Sequence, residues 1–282
     1  MHQQGFFGSA AGPVSAVVAS AIGGRNTGCA VAVGAVILAL WGGDAVAVAP
    51  PPPAPVSGWL ADGDASDSFG AAVGTPGGTL AYVPGVFGQA FSFDGGAAVN
   101  LPRNAFRTLA NQDTTVVAWL KTSQGADFAA VKFQDSWLIY FDSAQRGVVT
   151  GVWDDWPHRL SSGVDLRDGQ WHHVASVYAA GVASVYVDGL LKASGARNRY
   201  AGCDSCGSNA LGAGYFANYV GLLDDVGIYG HALTASEVQS VMSQGLAAAV
   251  PEPSQWALLL AGLWLVRSLP IKRQRPSLGG PS

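Results

Sequence analysis

Charged side chains are scarce in this sequence of 282 residues, at 12% of the chain against about 25% in ordinary soluble domains. The formal net charge of −4 leaves no excess of basic residues, which argues against a nucleic-acid partner. Glutamate occurs only as Glu237 and Glu252. Because glycosidases place a pair of carboxylates around the scissile bond, this shortage argues against a glutamate-based glycosidase.

Cysteine is also rare, with three residues in the chain. Cys29 lies in an apolar run near the N-terminus, which leaves Cys203 and Cys206 as a pair. We predict that these two form a small structural disulfide in a loop, a bond that an exported protein can keep. A redox-active C-x-x-C is the alternative, but such a motif normally begins a helix in a β-α-β context.

Residues 171–194 carry the clearest β pattern in the chain. Their side chains alternate along two runs, 171–178 and 183–188, with a short glycine-bearing break between them. Asp188-Gly189 then turns the chain again, because glycine takes the positive φ that a tight hairpin turn requires. We therefore predict a β-hairpin here, within a chain whose 38 glycines suit many tight turns.

The same alternation predicts further strands at residues 114–122, 129–132, 137–141, 148–152 and 219–229. One short helix is predicted over residues 235–245. Its start is marked by a capping box between Thr234 and Glu237, with Leu233 and Val238 placed as the hydrophobic staple.

Several separated segments resemble the laminin-G-like, concanavalin A-like jelly-roll domains. In the first two, W-x-x-D-G-x-A-x-D-x-x-G begins at Trp59 and G-x-x-G-x-A-F-x-F-D-G begins at Gly85. Within the second, Phe91 and Phe93 share one face of a strand. The remaining segments are the strand at 114–122, W-H-H-V-A leading to V-D-G at 171–189, G-L-L-D-D-V-G-I-Y at 221–229 and A-L-T-x-x-E at 232–237.

This resemblance implies an all-β fold for residues 57–245, namely a two-sheet antiparallel jelly-roll sandwich with one short C-terminal helix. Apolar targeting helices are expected at both ends of the chain. His172 and His173 belong to the structural W-H-H-V signature of the family, so we interpret them as satisfied core or edge histidines rather than catalytic ones.

The N-terminal residues 1–49 are predicted to be a signal peptide whose start codon is misplaced. Arg25 precedes an apolar run at 29–41, and Ala45-Val46-Ala47 fits a small-x-small cleavage site. An uncleaved membrane anchor is the alternative. Residues 50–56 form a Pro-rich linker that should be stiff and extended.

The C-terminal residues 246–282 resemble a PEP-CTERM sorting signal. The motif Val250-Pro251-Glu252-Pro253 is followed by an apolar run at 256–266 and then by a basic cluster that should stay cytoplasmic. The resemblance implies processing by an exosortase-type enzyme in a Gram-negative bacterium, with a transient stay in the inner membrane before display at the cell surface or in the extracellular matrix. A plain C-terminal anchor is the alternative.

The most polar and aromatic loop is the candidate ligand site. Flat aromatic rings stack on sugar rings and carboxylates bind their hydroxyl groups, so this loop is predicted to form a sugar-binding rim. The alternative is that its tryptophans cap the edge of the sandwich. The predicted binding residues are Trp153, Asp154, Asp155, Trp156 and His158.

Calcium is the one cofactor that the resemblance implies. Related jelly rolls hold structural Ca²⁺ between the N-terminal segment and the closing strand, and Ca²⁺ prefers carboxylate and carbonyl oxygens. The matching residues are Asp62 and Asp225, with Asp224 or Asp94 as alternatives. Asp225 should face away from the core of the sandwich, and an exposed acidic turn without metal is the rival interpretation.

Together these observations predict an exported, surface-sorted, non-enzymatic recognition or adhesion domain. Its expected partner is an extracellular polysaccharide or a surface protein. Two rival functions are a structural matrix or envelope protein without a specific ligand, and a glycan-degrading enzyme, which needs two carboxylates facing one cleft.

Overall fold

A computed structural model describes residues 50–109, 112–133, 137–144, 147–150, 159–196, 208–214 and 217–250, together with residue 264. The predicted signal peptide and all but the first residues of the predicted sorting segment lie outside these ranges. Among the residues described, no helix has the length and apolar character needed to cross a membrane.

The described chain folds into β-strands, one α-helix and two short 3-10 turns. The strands are, in chain order, β1 (Ser57–Trp59), β2 (Thr75–Gly77), β3 (Ala81–Pro84), β4 (Gln89–Asp94), β5 (Ala98–Leu101), β6 (Thr114–Lys121), β7 (Phe128–Phe133), β8 (Trp137–Asp142), β9 (Gly147–Thr150), β10 (Leu160–Ser161), β11 (Trp171–Ala179), β12 (Val182–Val187), β13 (Leu190–Ala196), β14 (Asn209–Leu211) and β15 (Val220–Tyr229). The helix is α1 (Ala235–Gln244). The 3-10 turns are Arg107–Leu109 and Leu246–Ala249.

These strands form two antiparallel sheets. Sheet A has eight strands in the order β13-β12-β11-β6-β15-β4-β3, with β1 paired to the end of β15. Sheet B has seven strands in the order β10-β9-β8-β7-β14-β5-β2. The prediction of a two-sheet antiparallel sandwich is therefore confirmed.

Aromatic side chains fill the space between the sheets. The Trp59 ring lies 5.8 Å from that of Phe133 and 6.0 Å from that of Phe106. Phe91 and Phe93 are both buried in this core, as their shared strand face predicts. Burying such rings provides much of the free energy that holds two sheets together, at about 25 cal/mol per Å² of apolar surface.

Two hairpin turns shape the stretch predicted as the central hairpin. Between β11 and β12, Ala180 and Gly181 have φ values of 46° and 87°. Between β12 and β13, Asp188 and Gly189 have φ values of 51° and 73°. Positive φ at both central residues is typical of the type I′ turn, whose twist matches that of the flanking strands. The predicted hairpin is confirmed, and the Asp-Gly turn adds a third strand to it.

The outer face of sheet A is covered rather than open to solvent. Helix α1 begins at the predicted capping box, in which the Glu237 amide donates to the Thr234 hydroxyl and the Thr234 amide donates to the Glu237 carboxylate. Leu233, Val238 and Leu246 are buried against this face together with strand residues such as Val117, Ala175 and Tyr229. The central strands of sheet A are therefore buried on both faces.

The N-terminal segment is tied down before β1 begins. Pro52 and Pro55 are buried, and the Pro50 carbonyl accepts hydrogen bonds from the Ser240 hydroxyl and the Gln244 side-chain amide of α1. The part of the predicted linker described here thus packs on the folded domain, as short proline-rich stretches do when their fixed φ matches a groove.

The loop after β1 is organised by one carboxylate. Asp67 accepts backbone N–H groups from Gly58 at 2.9 Å, Phe69 at 3.1 Å, Gly70 at 2.8 Å and Ala72 at 2.8 Å. Partial burial opposes its charge, but these hydrogen bonds outweigh burial and lower the pKa of Asp67 below its usual value. The carboxylate form is thus the one that the native loop favours.

We predict that Asp67→Ala lowers the free energy of unfolding by about 2 kcal/mol, because it leaves several backbone donors without their charged acceptor. Asp64→Ala is the matched control, since the exposed Asp64 accepts only the Ser66 amide. Chemical denaturation should be measured at neutral pH and below pH ~3.8. The difference in free energy of unfolding between the wild type and Asp67→Ala should be smaller in acid, because Asp67 is then protonated in the unfolded chain and progressively in the native one. Equal effects of the two substitutions would contradict this role for Asp67.

Candidate functional site

A cluster of polar side chains lies on the outer face of sheet B, the face opposite the aromatic core. Along β8, Tyr140 and Asp142 alternate with Ile139 and Phe141, and the latter pair is buried in the core. Lys132 lies on the neighbouring strand β7 next to the core residue Phe133. Together with Arg159, just before β10, these residues are called the outer patch, which consists of Lys132, Tyr140, Asp142 and Arg159.

The outer patch is charged and yet hidden from solvent. An Arg159 Nη2 lies 3.0 Å from Asp142 Oδ2, and their side chains are only 16% and 7% exposed. Lys132 and Tyr140 are buried as well. Burial raises the pKa of the Tyr140 hydroxyl far above its usual value, so that it stays neutral. Buried charges are costly unless they are paired, which makes this face of sheet B unusual for a sandwich surface.

The predicted sugar-binding loop connects two paired strands of sheet B, β9 and β10. Strand β9 pairs with β8 and ends at Thr150, and the chain is described again from Arg159, which forms the ion pair with Asp142. The residues between them, which include the predicted Trp153, Asp154, Asp155, Trp156 and His158, lie outside the described residues.

Sequence reasoning missed the outer patch. The signal that could have found it is the alternation in β8. Tyr140 and Asp142 lie on one face of this strand, and Ile139 and Phe141 lie on the opposite face. The predicted disulfide cysteines, Cys203 and Cys206, lie outside the described residues, so their pairing stays a prediction. The same holds for Pro251, Glu252 and Pro253 of the predicted sorting motif, whereas Val250 is described and exposed.

The structure brings the predicted calcium residues Asp62 and Asp225 close to Asp224, and these three are called the acidic cluster. Asp62 Oδ1 accepts the Gln89 amide at 2.8 Å. Asp224 Oδ2 accepts the amides of Val86 at 2.7 Å and Phe87 at 3.0 Å.

Asp225 joins the cluster from beneath the C-terminal cover. Its Oδ2 accepts the Leu246 amide at 2.7 Å. Asp224 and Asp225 therefore tie the loop before β4 and the C-terminal turn to the closing strand β15, while Asp62 ties the N-terminal segment to the start of β4.

Asp224 and Asp225 are both buried, whereas Asp62 is exposed, so the rival interpretation of an exposed acidic turn does not describe the two residues in β15. Asp225 does face away from the inter-sheet core, as predicted, but the cover that includes Leu246 lies over it. A register irregularity between Asp224 and Gly227 and a φ of 46° at Asp225 interrupt the alternation of β15. This bulge accounts for two consecutive carboxylates on the covered side of sheet A.

Two carboxyl groups of the acidic cluster are harder to ionise than ordinary aspartates. Burial raises the pKa of Asp224 to about 6, and the neighbouring charge of Asp62 adds to this effect. Burial likewise raises the pKa of Asp225 to about 7, with contributions from Asp224 and Asp62. Among the described residues no Lys, Arg or His forms an ion pair with any of the three.

The donor chemistry of the acidic cluster suits a hard cation, because it offers several carboxylate oxygens without a counter-charge. In the described part of the chain, however, no three acidic, His or Cys side chains are already gathered around one metal position. The alternative ligand Asp94 does not join the cluster, since it is exposed and caps the turn after β4 by accepting the amides of Gly96 and Ala97.

The two histidines of the W-H-H-V signature have different surroundings. His172 lies between two turn carboxylates, with Nδ1 2.9 Å from Asp188 Oδ2 and Nε2 3.2 Å from Asp168 Oδ1. Burial opposes its charge, but Asp188 and Asp168 outweigh burial and raise the pKa of His172 above its usual value. His173 is fully buried, and neither of its ring nitrogens has a partner among the described residues, so it is a core histidine but not a satisfied one.

The contacts of His172 with Asp168 and Asp188 are called the His172 clamp. We predict that this clamp stabilises the fold when His172 is protonated. Because the folded pKa is raised, this stabilisation is complete below pH ~6.5, the usual value, and is lost as the pH rises through the folded pKa. An NMR titration of the imidazole should therefore show a pKa above ~6.5 that drops in Asp188→Asn and Asp168→Asn.

Denaturation at pH 5.5 and 8.5 tests the same clamp through stability. The substitution His172→Gln should cost more stability at the lower pH than at the higher pH. His231→Gln changes an exposed histidine outside the clamp and controls for loss of an imidazole. An equal loss at both pH values for His172→Gln would contradict the clamp.

Residues 93–239, more than half of the chain, match the laminin G family of the concanavalin A-like lectin/glucanases superfamily. The chain therefore belongs to this family, and the fold implied by its motifs is the fold of the structure. No curated protein sequence matches the chain.

Solved structures share the architecture at low sequence identity. Domain 4 of AbnA, a GH43 extracellular arabinanase from Geobacillus stearothermophilus, was solved in complex with arabinotriose and is 24% identical, with a TM-score of 0.55, covering 68% of this chain and 100% of that one. The binding domain of Paraclostridial Mosquitocidal Protein 1 is 16% identical, with a TM-score of 0.56, over 67% of this chain and 52% of that one.

The botulinum neurotoxin serotype C1 binding domain is a further structural relative. It is 12% identical, with a TM-score of 0.51, over 67% of this chain and 51% of that domain. The chain thus spans about half the length of each toxin binding domain. At these identities the similarity establishes the common fold.

Proposed function

We propose that this protein is an exported, non-catalytic recognition domain that binds extracellular carbohydrate on the outer face of sheet B. The binding site would consist of the outer patch and the attached loop with Trp153 and Trp156. The observation that carries the proposal is the Arg159–Asp142 ion pair, which lies largely hidden from solvent beside the buried Tyr140 and Lys132 on the outer face of sheet B.

The chemistry of the outer patch supports a sugar ligand. Guanidinium and carboxylate groups donate to and accept from neighbouring hydroxyl groups, and tryptophan rings in the adjoining loop offer flat surfaces for pyranose faces. Lys132 and Arg159 also favour sugars that carry carboxylate or other acidic groups. Among the structural relatives, the arabinanase domain was solved with arabinotriose, which is consistent with a carbohydrate ligand for this fold.

Two rival functions make different demands on the molecule. A matrix protein without a ligand does not require the buried charged groups of the outer patch. A glycan-degrading enzyme needs a free carboxylate pair in one cleft. Asp142 is already paired with Arg159, and Asp224 and Asp225 lie beneath the cover of sheet A, so these positions support a binding role better than a hydrolytic one.

Export belongs to the proposal as well. The predicted signal peptide at 1–49 and the PEP-CTERM-like segment with Val250-Pro251-Glu252-Pro253 support delivery across the inner membrane of a Gram-negative bacterium. An exosortase-type enzyme would then process the C-terminal segment, and the domain would act at the cell surface or in the extracellular matrix. Extracellular polysaccharide or a surface protein would be its partner there.

We predict that the purified full-length protein binds a subset of glycans on an array. Trp156→Ala, Trp153→Ala and Lys132→Ala should each weaken binding by at least about tenfold, the loss of about 1.4 kcal/mol expected for one stacking or charged contact. Lys192→Ala is the matched control, because it removes an exposed lysine from the edge of sheet A. Unchanged thermal stability of each variant separates loss of binding from loss of the fold. Binding that survives all three substitutions would place the site elsewhere, and no binding at all would favour the matrix protein.

We also propose that Ca²⁺ binds at the acidic cluster through Asp62 and Asp225, with Asp224 beside them. When bound, the ion would neutralise the buried negative charge and cross-link the segments that the cluster joins. Ligand binding to the native state alone stabilises it by about 2.7 kcal/mol at a concentration about 100 times Kd. Support comes from the proximity of three carboxylates, none of which forms an ion pair with a Lys, Arg or His of the described residues.

Thermal unfolding tests this calcium site. Millimolar Ca²⁺ should raise the Tm of the full-length protein relative to EDTA, and Mg²⁺ should do so far less, because it prefers a rigid octahedral shell. Asp225→Asn and Asp62→Asn should abolish the shift, while Asp94→Asn, which lies outside the cluster, should retain it. A Tm that is insensitive to Ca²⁺, or a shift that persists in the Asp62→Asn/Asp225→Asn double variant, would sink the calcium proposal.

A further inference from the structure

Three polar side chains form a continuous row across the centre of sheet A. Asp224 in β15 is in register with Trp119 in β6, and Trp119 is in register with His173 in β11. Residues in direct register on neighbouring antiparallel strands lie on the same face with Cβ atoms about 4.5–5.5 Å apart. The rings of Trp119 and His173 meet edge to face with centroids 5.3 Å apart. These three residues are called the polar row.

The polar row contains four buried atoms without a hydrogen-bond partner. They are Trp119 Nε1, His173 Nδ1, His173 Nε2 and Asp224 Oδ1. His173 is 1% exposed and Asp224 is 0% exposed, so bulk water does not reach them. Asp224 uses its other oxygen for the amides of Val86 and Phe87, which leaves Oδ1 unpaired in the same carboxylate.

Without water, the unpaired atoms of the polar row would lower the stability of the fold. Each buried polar group without a partner costs about 1–3 kcal/mol, so four of them would cost about 4–12 kcal/mol. A whole domain of this kind is stable by only about 5–15 kcal/mol. Clustered unpaired atoms in a native protein are normally satisfied by ordered water, which makes about three hydrogen bonds to such groups.

The hydrogen-bonding capacity of the row identifies the kind of occupant. Burial lowers the pKa of His173 to about 4, so its imidazole is neutral at pH 7 with one donor and one acceptor nitrogen. Trp119 adds a donor and Asp224 Oδ1 adds an acceptor. Two donors beside two acceptors suit a neutral molecule that both donates and accepts, whereas the indole and imidazole N–H groups repel a cation and the carboxylate repels an anion.

We infer that the polar row of Trp119, His173 and Asp224 holds internal water, which bridges β15, β6 and β11 beneath the cover of sheet A. The polar row shares Asp224 with the acidic cluster through the unpaired Oδ1, but it is separate from the outer patch and does not include Asp62 or Asp225. The water connects the loop held by Asp224, at Val86 and Phe87, to the central hairpin strand that carries His173. It thereby converts an otherwise unsatisfied row into a cross-strand link.

A high-resolution crystal structure of the full-length protein tests the inference directly. We expect at least one fully buried water within hydrogen-bonding distance of two of the three side chains. A row without density, a direct hydrogen bond between the side chains, or a metal ion in the row would overturn the inference.

His173→Phe supplies a second, independent measurement, because phenylalanine keeps the ring but removes both nitrogens. If water bridges the row, the substitution leaves its remaining partners poorly satisfied, and the folding equilibrium constant should fall at least tenfold. If the row is dry, the substitution removes two unpaired atoms and stability should rise. His231→Phe, at an exposed histidine outside the polar row, is a matched control for introducing the ring, and its stability should change little. The crystal structure of the wild type stays decisive if His173→Phe does not fold.

Discussion

The central strands of sheet A bury both of their faces, and the rest of the molecule is arranged to meet that constraint. On the inner side the aromatic residues of sheet B cover them, and on the outer side α1 and the turn at Leu246 do so. Every polar group on the covered outer face then needs a partner within the protein or from enclosed solvent. Asp225 accepts the Leu246 amide, and Asp224 accepts the amides of Val86 and Phe87 with one of its two oxygens. This face therefore serves the integrity of the fold, and the outer face of sheet B is the one that we propose for ligand recognition.

Local sequence signals predicted the elements that depend on local physics. The alternation at 171–194, the Asp188-Gly189 turn and the Thr234–Glu237 capping box each reappear in the structure, because a strand period, a positive φ and a helix cap are decided by a few neighbouring residues. The sheet order and the covering of sheet A depend on pairings between distant strands, which no short motif encodes. The grouping of Asp62 with Asp225 came from the family resemblance rather than from spacing.

In the candidate sites, too, some features follow from local sequence and others depend on contacts between distant strands. A bulge in β15 places Asp224 and Asp225 under one cover, although simple alternation would separate them. The Arg159–Asp142 pair joins residues on different strands, so only the fold reveals it. By contrast, the alternation that places Tyr140 and Asp142 on one face of β8 was present in the sequence and was informative. It shows that polar residues on a strand that is otherwise core-like mark a face worth testing for ligands.

Hydrogen–deuterium exchange of the full-length protein, with and without an oligosaccharide that it binds, tests the location of the binding face most directly. The proposed function predicts that the ligand slows exchange in β7, β8 and the segment between Thr150 and Leu160, while α1 and the β12–β13 hairpin are unaffected. Slowed exchange confined to α1 or to the edge of sheet A would contradict it, because the ligand would then lie on the face that the fold uses for its own cover.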